Sequence, residues 1–149
     1  MIKEAFEIVK NQMGPCGISC AACGLGNGSG AEAAKKTMDY LQSFGVSEWA
    51  PMVPGGSEID FDNLRKSLEW VHTYVRCQGC EQGGGPPDCV IRSCAREKGY
   101  DICSKCDELD GCGKFDWLGD PSALKDRLKE SKGKSKQELV EEAIAKIEL

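Results

Sequence analysis

The sequence predicts a mainly α, small helical domain with irregular cysteine-rich loops, and three observations predict it. Apolar residues recur at three- and four-residue spacing in several separate stretches, the periodicity of a helix with one inward face. No stretch alternates apolar and polar residues over more than a few positions, so long strands are not expected. Ten cysteines in 149 residues stand mostly between the helical stretches.

Taken in order, Ile2, Phe6, Val9 and Met13 mark a first helix that Gly14-Pro15 stops just before the first cysteine. Ala31 to Phe44 reads as a second, with Ala34, Met38, Leu41 and Phe44 inward and Gly45 just past its end. Pro51, Pro54, Gly55 and Gly56 leave no room for a long element over 47–56. Phe61, Leu64, Leu68, Val71 and Val75 mark a third helix, with Asp60 or Asp62 as its cap. Only one helix fits between Cys77 and Cys112, over 89–98, capped by Asp88 and ended by Gly99. Asp120-Pro121 opens a helix to about Glu130, and Ser135 with Glu138 spells a capping box for the last one. The whole reads as one cysteine-rich metal-binding domain over 1–149, with a helical C-terminal extension from about residue 121.

The apolar supply is lean: Leu, Ile, Val and Phe number 29, under a fifth of the chain. A net charge of −5 is too small to explain that as disorder, so some cross-link is expected instead. Charges at Lys3, Glu4, Glu7 and Lys10 interrupt the apolar run that a signal peptide needs, and no stretch approaches the roughly 18 apolar residues of a membrane span. The expectation is a cytoplasmic chain with no membrane association, where reducing conditions favour free or metal-bound thiols over disulfides.

Cys77-Gln-Gly-Cys80 and Cys103-Ser-Lys-Cys106 are two CxxC knuckles with 22 residues between them. Two thiolates three positions apart on a tight turn grip one tetrahedral ion at about 2.3 Å, and Gly79 supplies the backbone freedom such a turn needs. Cys16-Gly-Ile-Ser-Cys20-Ala-Ala-Cys23 adds three thiols, whose fourth partner must come from Cys89, Cys94, Cys112 or His72. All ten cysteines are therefore candidate ligands. The expectation is two zinc ions with a structural role. Cys77, Cys80, Cys103 and Cys106 hold one; Cys16, Cys20 and Cys23, with one of Cys89, Cys94 or Cys112, hold the other. Structural zinc contributes on the order of 10 kcal/mol, comparable to the whole net stability of a domain, which offsets a thin core. The alternative is an iron-sulfur electron carrier or accessory protein, since four cysteines serve a cluster as readily.

The order CGIxCxxC at Cys16–Cys23, CQGC at Cys77–Cys80, CVIRSCAREKG from Cys89 to Gly99, CSKC at Cys103–Cys106 and a last cysteine at Cys112 resembles a widespread bacterial and archaeal cysteine-rich family catalogued as a domain of unknown function. The resemblance spans about Cys16 to Leu128, and its IRxCAxEKG stretch is the most specific part. It implies a zinc-binding protein without an established activity. The sequence departs from the commoner pattern in the GLGNGSG stretch after Cys23 and in Asp110-Gly111, where a proline is frequent; neither touches a thiol.

Sharper readings are weaker. Cys16, Cys20 and Cys23 have the spacing of a radical S-adenosylmethionine cluster, but Ala22 stands where those enzymes carry an aromatic and the chain is too short for their barrel. Gly24, Gly26, Gly28 and Gly30 follow no strand, so they read as a flexible connector rather than a phosphate cradle. His72, the only histidine, reads as a helix-rim residue, which with no second histidine leaves no Ser/His/Asp arrangement and argues against an enzyme. Asp107, Glu108 and Asp110 read as a solvated surface. Lys125, Arg127, Lys129, Lys132, Lys134 and Lys136 alternate with Asp126 and Glu130 and carry no interleaved aromatics, which argues against a nucleic-acid partner and leaves a protein partner as the expectation. Trp49, Trp70 and Trp117 are expected to pack, with Trp49 the one to be exposed if any is.

Overall fold

The helical periodicities are realised in a computed structural model that describes residues 1–147 and contains no strand among them. The helices are α1 (Lys3–Val9), α2 (Ser29–Ser43), α3 (Val46–Trp49), α4 (Phe61–Tyr74), α5 (Val90–Glu97), α6 (Pro121–Glu130) and α7 (Lys136–Ala145), joined by loops and single 3₁₀ turns. No helix among the described residues is long and apolar enough to cross a membrane.

Local chemistry sets most of the ends. Asp60 Oδ1 accepts from the Asn63 N–H at 2.9 Å and Asp120 Oδ1 from the Ala123 N–H at 3.0 Å, each satisfying one of the orphan amides of a first turn. Ser135 and Glu138 form the reciprocal capping box at the start of α7. Gly45 takes the left-handed conformation past α2, with φ 54°, and Gly99 does so past α5, with φ 71°.

Three expectations are corrected. α1 stops at Val9 rather than Met13, because the Gln12 N–H returns to the Val9 carbonyl, the Gln12 carbonyl accepts from the Cys20 N–H, and Met13 pairs with Ser19 in an isolated antiparallel bridge. Asp88 does not cap α5. Cys89 occupies that position, and the entry is fixed instead by Arg92, whose guanidinium donates to the carbonyls of Gly84, Pro86 and Pro87. The glycine-rich segment 24–30 is a packed turn and no loose connector: Gly26, Asn27 and Gly28 are buried, Asn27 bridges the Ala21 carbonyl and the Ser29 N–H, and a Cβ on Gly26 would lie 2.5 Å from the Cys20 carbonyl oxygen.

The core is assembled from loops as much as from helices. Met13, Ile91, Ile102, Leu109, Phe115, Leu124, Leu128 and Val140 form it, and Cys16, Cys89, Cys103 and Cys112 pack against its edge. α2 and α4 form a separate antiparallel layer, packed on each other, with α3 against α2. That layer is thinly covered. α4 has no buried residue, and Phe44, expected inward, is 67% exposed because it sits at the C-terminal cap where Gly45 turns the chain away. All three tryptophans are about half exposed rather than packed; Trp49 only donates its indole N–H to the Phe44 carbonyl.

Candidate metal centre

The loop 13–19 is built to bring sulfur together. The Gly14 N–H donates to the Ile18 carbonyl and the Gly17 N–H to the Gly14 carbonyl, closing a tight turn that presents Cys16. Glycine at position 14 leaves room for the sulfurs, since an added Cβ would lie 3.1 Å from both Cys16 Sγ and Cys80 Sγ. The Cys77–Cys80 knuckle is docked onto this turn by Gln12. Its side-chain N–H group donates to the carbonyls of Ile8 and Gln78, and its Oε1 accepts from the Glu81 N–H at 3.1 Å. Gly79, at φ 93°, lies directly under that side chain, where any Cβ would collide with Gln12 Oε1.

Backbone donors are already turned toward these sulfurs. The Gly79 N–H points at Cys77 Sγ at 3.3 Å and the Cys80 N–H at Cys20 Sγ at 3.5 Å, the amide-to-sulfur pattern that favours thiolate over thiol. The Cys80 thiol donates to Cys20, which brings Cys20 down to about 6, while that same bond, burial and the neighbouring charges of Cys20, Cys16 and Cys77 push Cys80 up. Burial, with the charges of Cys89 and Cys20 adding to it, raises Cys16 as well. Cys16, Cys20, Cys77 and Cys80 thus form one set.

A second set lies beyond Cys16, where the Cys103 N–H donates to the Pro15 carbonyl at 2.9 Å. Cys94 from α5, Cys103 and Cys106 from a 3₁₀ turn, and Cys112 line a cavity of about 260 Å³, with Lys98, Tyr100, Glu108 and Phe115. Burial pushes Cys103 up to about 12, and the charges of Cys16, Cys106, Cys112 and Cys94 add to it. Lys98 is the one cation at hand, its ammonium 3.9 Å from Cys106 Sγ and paired with Glu108. Cys16 is a charged neighbour of both knuckles, acting on Cys80 and on Cys103. Cys23 belongs to neither set, and Cys89 lies at the edge of the first, near Cys16.

All ten cysteines are free thiols. Among the described residues no three His, Cys, Asp or Glu side chains converge in ligating geometry. His72 stays on the rim of the helical layer, its Nδ1–H donating to the Ala31 carbonyl at 3.0 Å. The basic run is occupied by carboxylates, Lys129 by Asp126 and Asp110, Lys134 by Glu142 and Lys136 by Glu81.

Gln12 and the carbonyl contacts of Arg92 organise the site and are not legible in the sequence, where Gly14 reads only as the stop of the first helix. Gln12 reads there as one more polar position of α1, because its partner Glu81 is 69 residues away. A family model described as a protein of unknown function (DUF3795) matches residues 12–117, a span that starts at Gln12 and takes in every cysteine. No curated protein and no solved structure matches the chain.

Proposed function

We propose that this chain, which belongs to the DUF3795 family of proteins of unknown function, is a zinc-binding protein in which thiolates hold the metal in a structural role. Cys16, Cys20, Cys77 and Cys80 would hold one ion, and Cys94, Cys103, Cys106 and Cys112 a second. The observation that carries the reading is the crowding of thiols whose protons oppose one another. Cys80 is pushed up by its hydrogen bond to Cys20 and by burial, and Cys103 by burial, with neighbouring sulfur charge adding to both, an arrangement unfavourable for bare thiolates and relieved by a dication. The backbone N–H groups on Cys77 and Cys20 support it, since they match the second set of hydrogen bonds that orients metal-bound sulfur.

Four thiolates per ion close the coordination sphere and leave no position for a reacting water, so the chain acts as a scaffold for interaction or sensing rather than as an enzyme. Elemental analysis of the anaerobically purified full chain is the test. The expected result is about two zinc ions per chain, falling to about one in Cys20→Ser/Cys80→Ser. A colourless metal-free protein overturns the reading, and a brown sample with broad visible absorbance replaces zinc with an iron-sulfur cluster.

A further inference from the structure

At the end of the helical layer where α2 closes and α4 opens, the large apolar side chains stay outside. Tyr40, Phe44, Trp49, Met52 and Ile59 are all exposed, Met52 to 84%. The first three are joined: the Tyr40 and Phe44 rings stack with centroids 6.1 Å apart, and the Trp49 indole N–H donates to the Phe44 carbonyl. The turn that bears Met52 packs both on α3 and on the turn Gly56–Glu58 that precedes Ile59. The backbone beneath is held in place. The Val53 N–H donates to the Ala50 carbonyl and the Gly56 N–H to the Val53 carbonyl, each at 2.9 Å, and Gly56 lies so close to the buried Ala50 that a Cβ there would collide with its carbonyl oxygen. Neighbouring exposed aromatics on a fixed backbone mark a recognition surface, because little conformational freedom is lost when a partner settles on it.

The charge of this surface is one-sided. Glu48, Glu58, Asp60 and Asp62 are exposed along it, and the chain has no Lys, Arg or His over 37–64. Among the described residues none of the four carboxylates is in an ion pair, since the flanking Lys35 pairs with Asp39, Lys36 with Glu32 and Arg65 with Glu69. Those carboxylates select the occupant. They repel nucleic-acid phosphate and an anionic bilayer. A second copy seated face to face would set the same acids against themselves, and its basic run is already engaged by its own carboxylates at Lys129, Lys134 and Lys136. We propose that this end of the layer binds a basic amphipathic segment of another protein, with its apolar side chains on Phe44, Trp49 and Met52 and its Lys or Arg side chains on the carboxylates and over the exposed ring faces. No cysteine lies among these residues, and the contact itself needs no metal.

Fluorescence anisotropy of a labelled amphipathic Lys/Leu helical peptide, titrated with the full chain as purified, tests this. Three control peptides replace its Lys by Glu, its Lys by Ser, or its Leu by Ser. The expected result is that the Lys/Leu peptide binds at least about tenfold more tightly than any control, and less tightly as salt is added. Phe44→Ser/Met52→Ser should weaken its binding at least about tenfold, and Met52→Ser alone, whose side chain lies almost wholly in solvent, should weaken it in the same direction. Glu48→Gln/Glu58→Gln/Asp62→Asn, which spares the Asp60 cap, should weaken it at least about threefold and flatten the salt dependence. Trp117→Ser, at an exposed tryptophan outside this layer, should leave it unchanged. No binding of the Lys/Leu peptide, equal binding of a control, wild-type affinity in both Met52 variants or in the charge variant, or an equal loss in Trp117→Ser overturns the proposal. So does co-sedimentation of the chain with phosphatidylcholine vesicles that Met52→Ser abolishes, which makes the surface a membrane contact. A dimer in analytical ultracentrifugation that Met52→Ser dissolves overturns it too, by making the occupant a second copy.

Discussion

The layer formed by α2 and α4 holds the two longest helices among the described residues, yet the largest fully buried side chains, Phe115, Ile102, Leu128 and Val9, lie outside it, among the short helices and the loops that carry the cysteines. α4 keeps Asp60 at its cap, an apolar stripe and fourteen regular residues, and buries none of them fully. The cysteine region has turns of three residues at Cys103–Lys105 and Gly113–Phe115, and there Ile102 and Phe115 are sealed to 0% and 1% exposure. Regular secondary structure and burial are therefore different achievements. A periodic stripe specifies which side of a helix meets a partner, but two helices alone cover only one strip of each other, whereas loops converging from several directions enclose a residue completely.

The comparison sharpens if the loop region is held by metal and the helical layer is not. Removing the metal withdraws stabilisation on the order of 10 kcal/mol from the cysteine region, and that is the largest effect expected in the molecule. Hydrogen exchange on the full chain before and after verified chelation should show amides of α5, α6 and α7 losing their protection. Amides of α2 and α4 should change little, because their protection is set by a thinly covered layer in both states. Protection that survives chelation in α5 to α7 would break the comparison, since apolar packing alone would then hold the loops.

Side-chain truncation is the next largest contrast. Phe115→Ala empties a site enclosed on all sides, with an expected loss of about 3–5 kcal/mol in the urea unfolding of the metal-loaded protein. Trp70→Ala removes a larger side chain that is 58% exposed and meets Tyr74 only in a tilted pair, so its loss should stay below about 1 kcal/mol. Equal losses would mean that the helical layer is covered by something that these contacts do not include.

The features legible in the sequence are those whose cause lies within a few residues. Asp60, Asp120 and the Ser135/Glu138 pair cap helices because the accepting oxygen and the orphan amide are three positions apart, and Gly45 and Gly99 end helices through their own φ. The mainly helical class and the family follow from the same kind of evidence, periodicity and cysteine order. What was illegible depends on distant partners. α1 ends early because Cys20 competes for the Gln12 carbonyl, and Asp88 loses the cap of α5 to a turn that Arg92 holds. The grouping of the thiols was the largest such case. Spacing pairs the knuckle at Cys77 with the one at Cys103, and it does not show that the Gln12 side chain seats the first knuckle on the 13–19 loop, beside Cys20 and Cys16. Tryptophan misled for a third reason: its size suggests burial, but the faces of α4 offer no second layer to receive Trp70.

The smallest contrast is the cleanest, because it places the same bond in both regions. Asp60 and Asp120 each accept from the backbone N–H three residues on, at 2.9 and 3.0 Å, and each lies on the exposed surface. Substitution by alanine removes about 1 kcal/mol from either helix start. The readouts should nevertheless differ. α6 carries Leu124 and Leu128 into the core, so its first turn cannot fray without exposing them, and Asp120→Ala should lower the main urea transition by the full amount. α4 buries nothing fully, and its layer is expected to open before the core does. The main transition of Asp60→Ala then begins from a state in which α4 is already open, so its midpoint should stay at the wild-type value. The loss should appear instead as roughly fivefold faster hydrogen exchange confined to α2 and α4, the factor that about 1 kcal/mol implies. A shift of the main transition by Asp60→Ala as large as that by Asp120→Ala would make the two layers one cooperative unit.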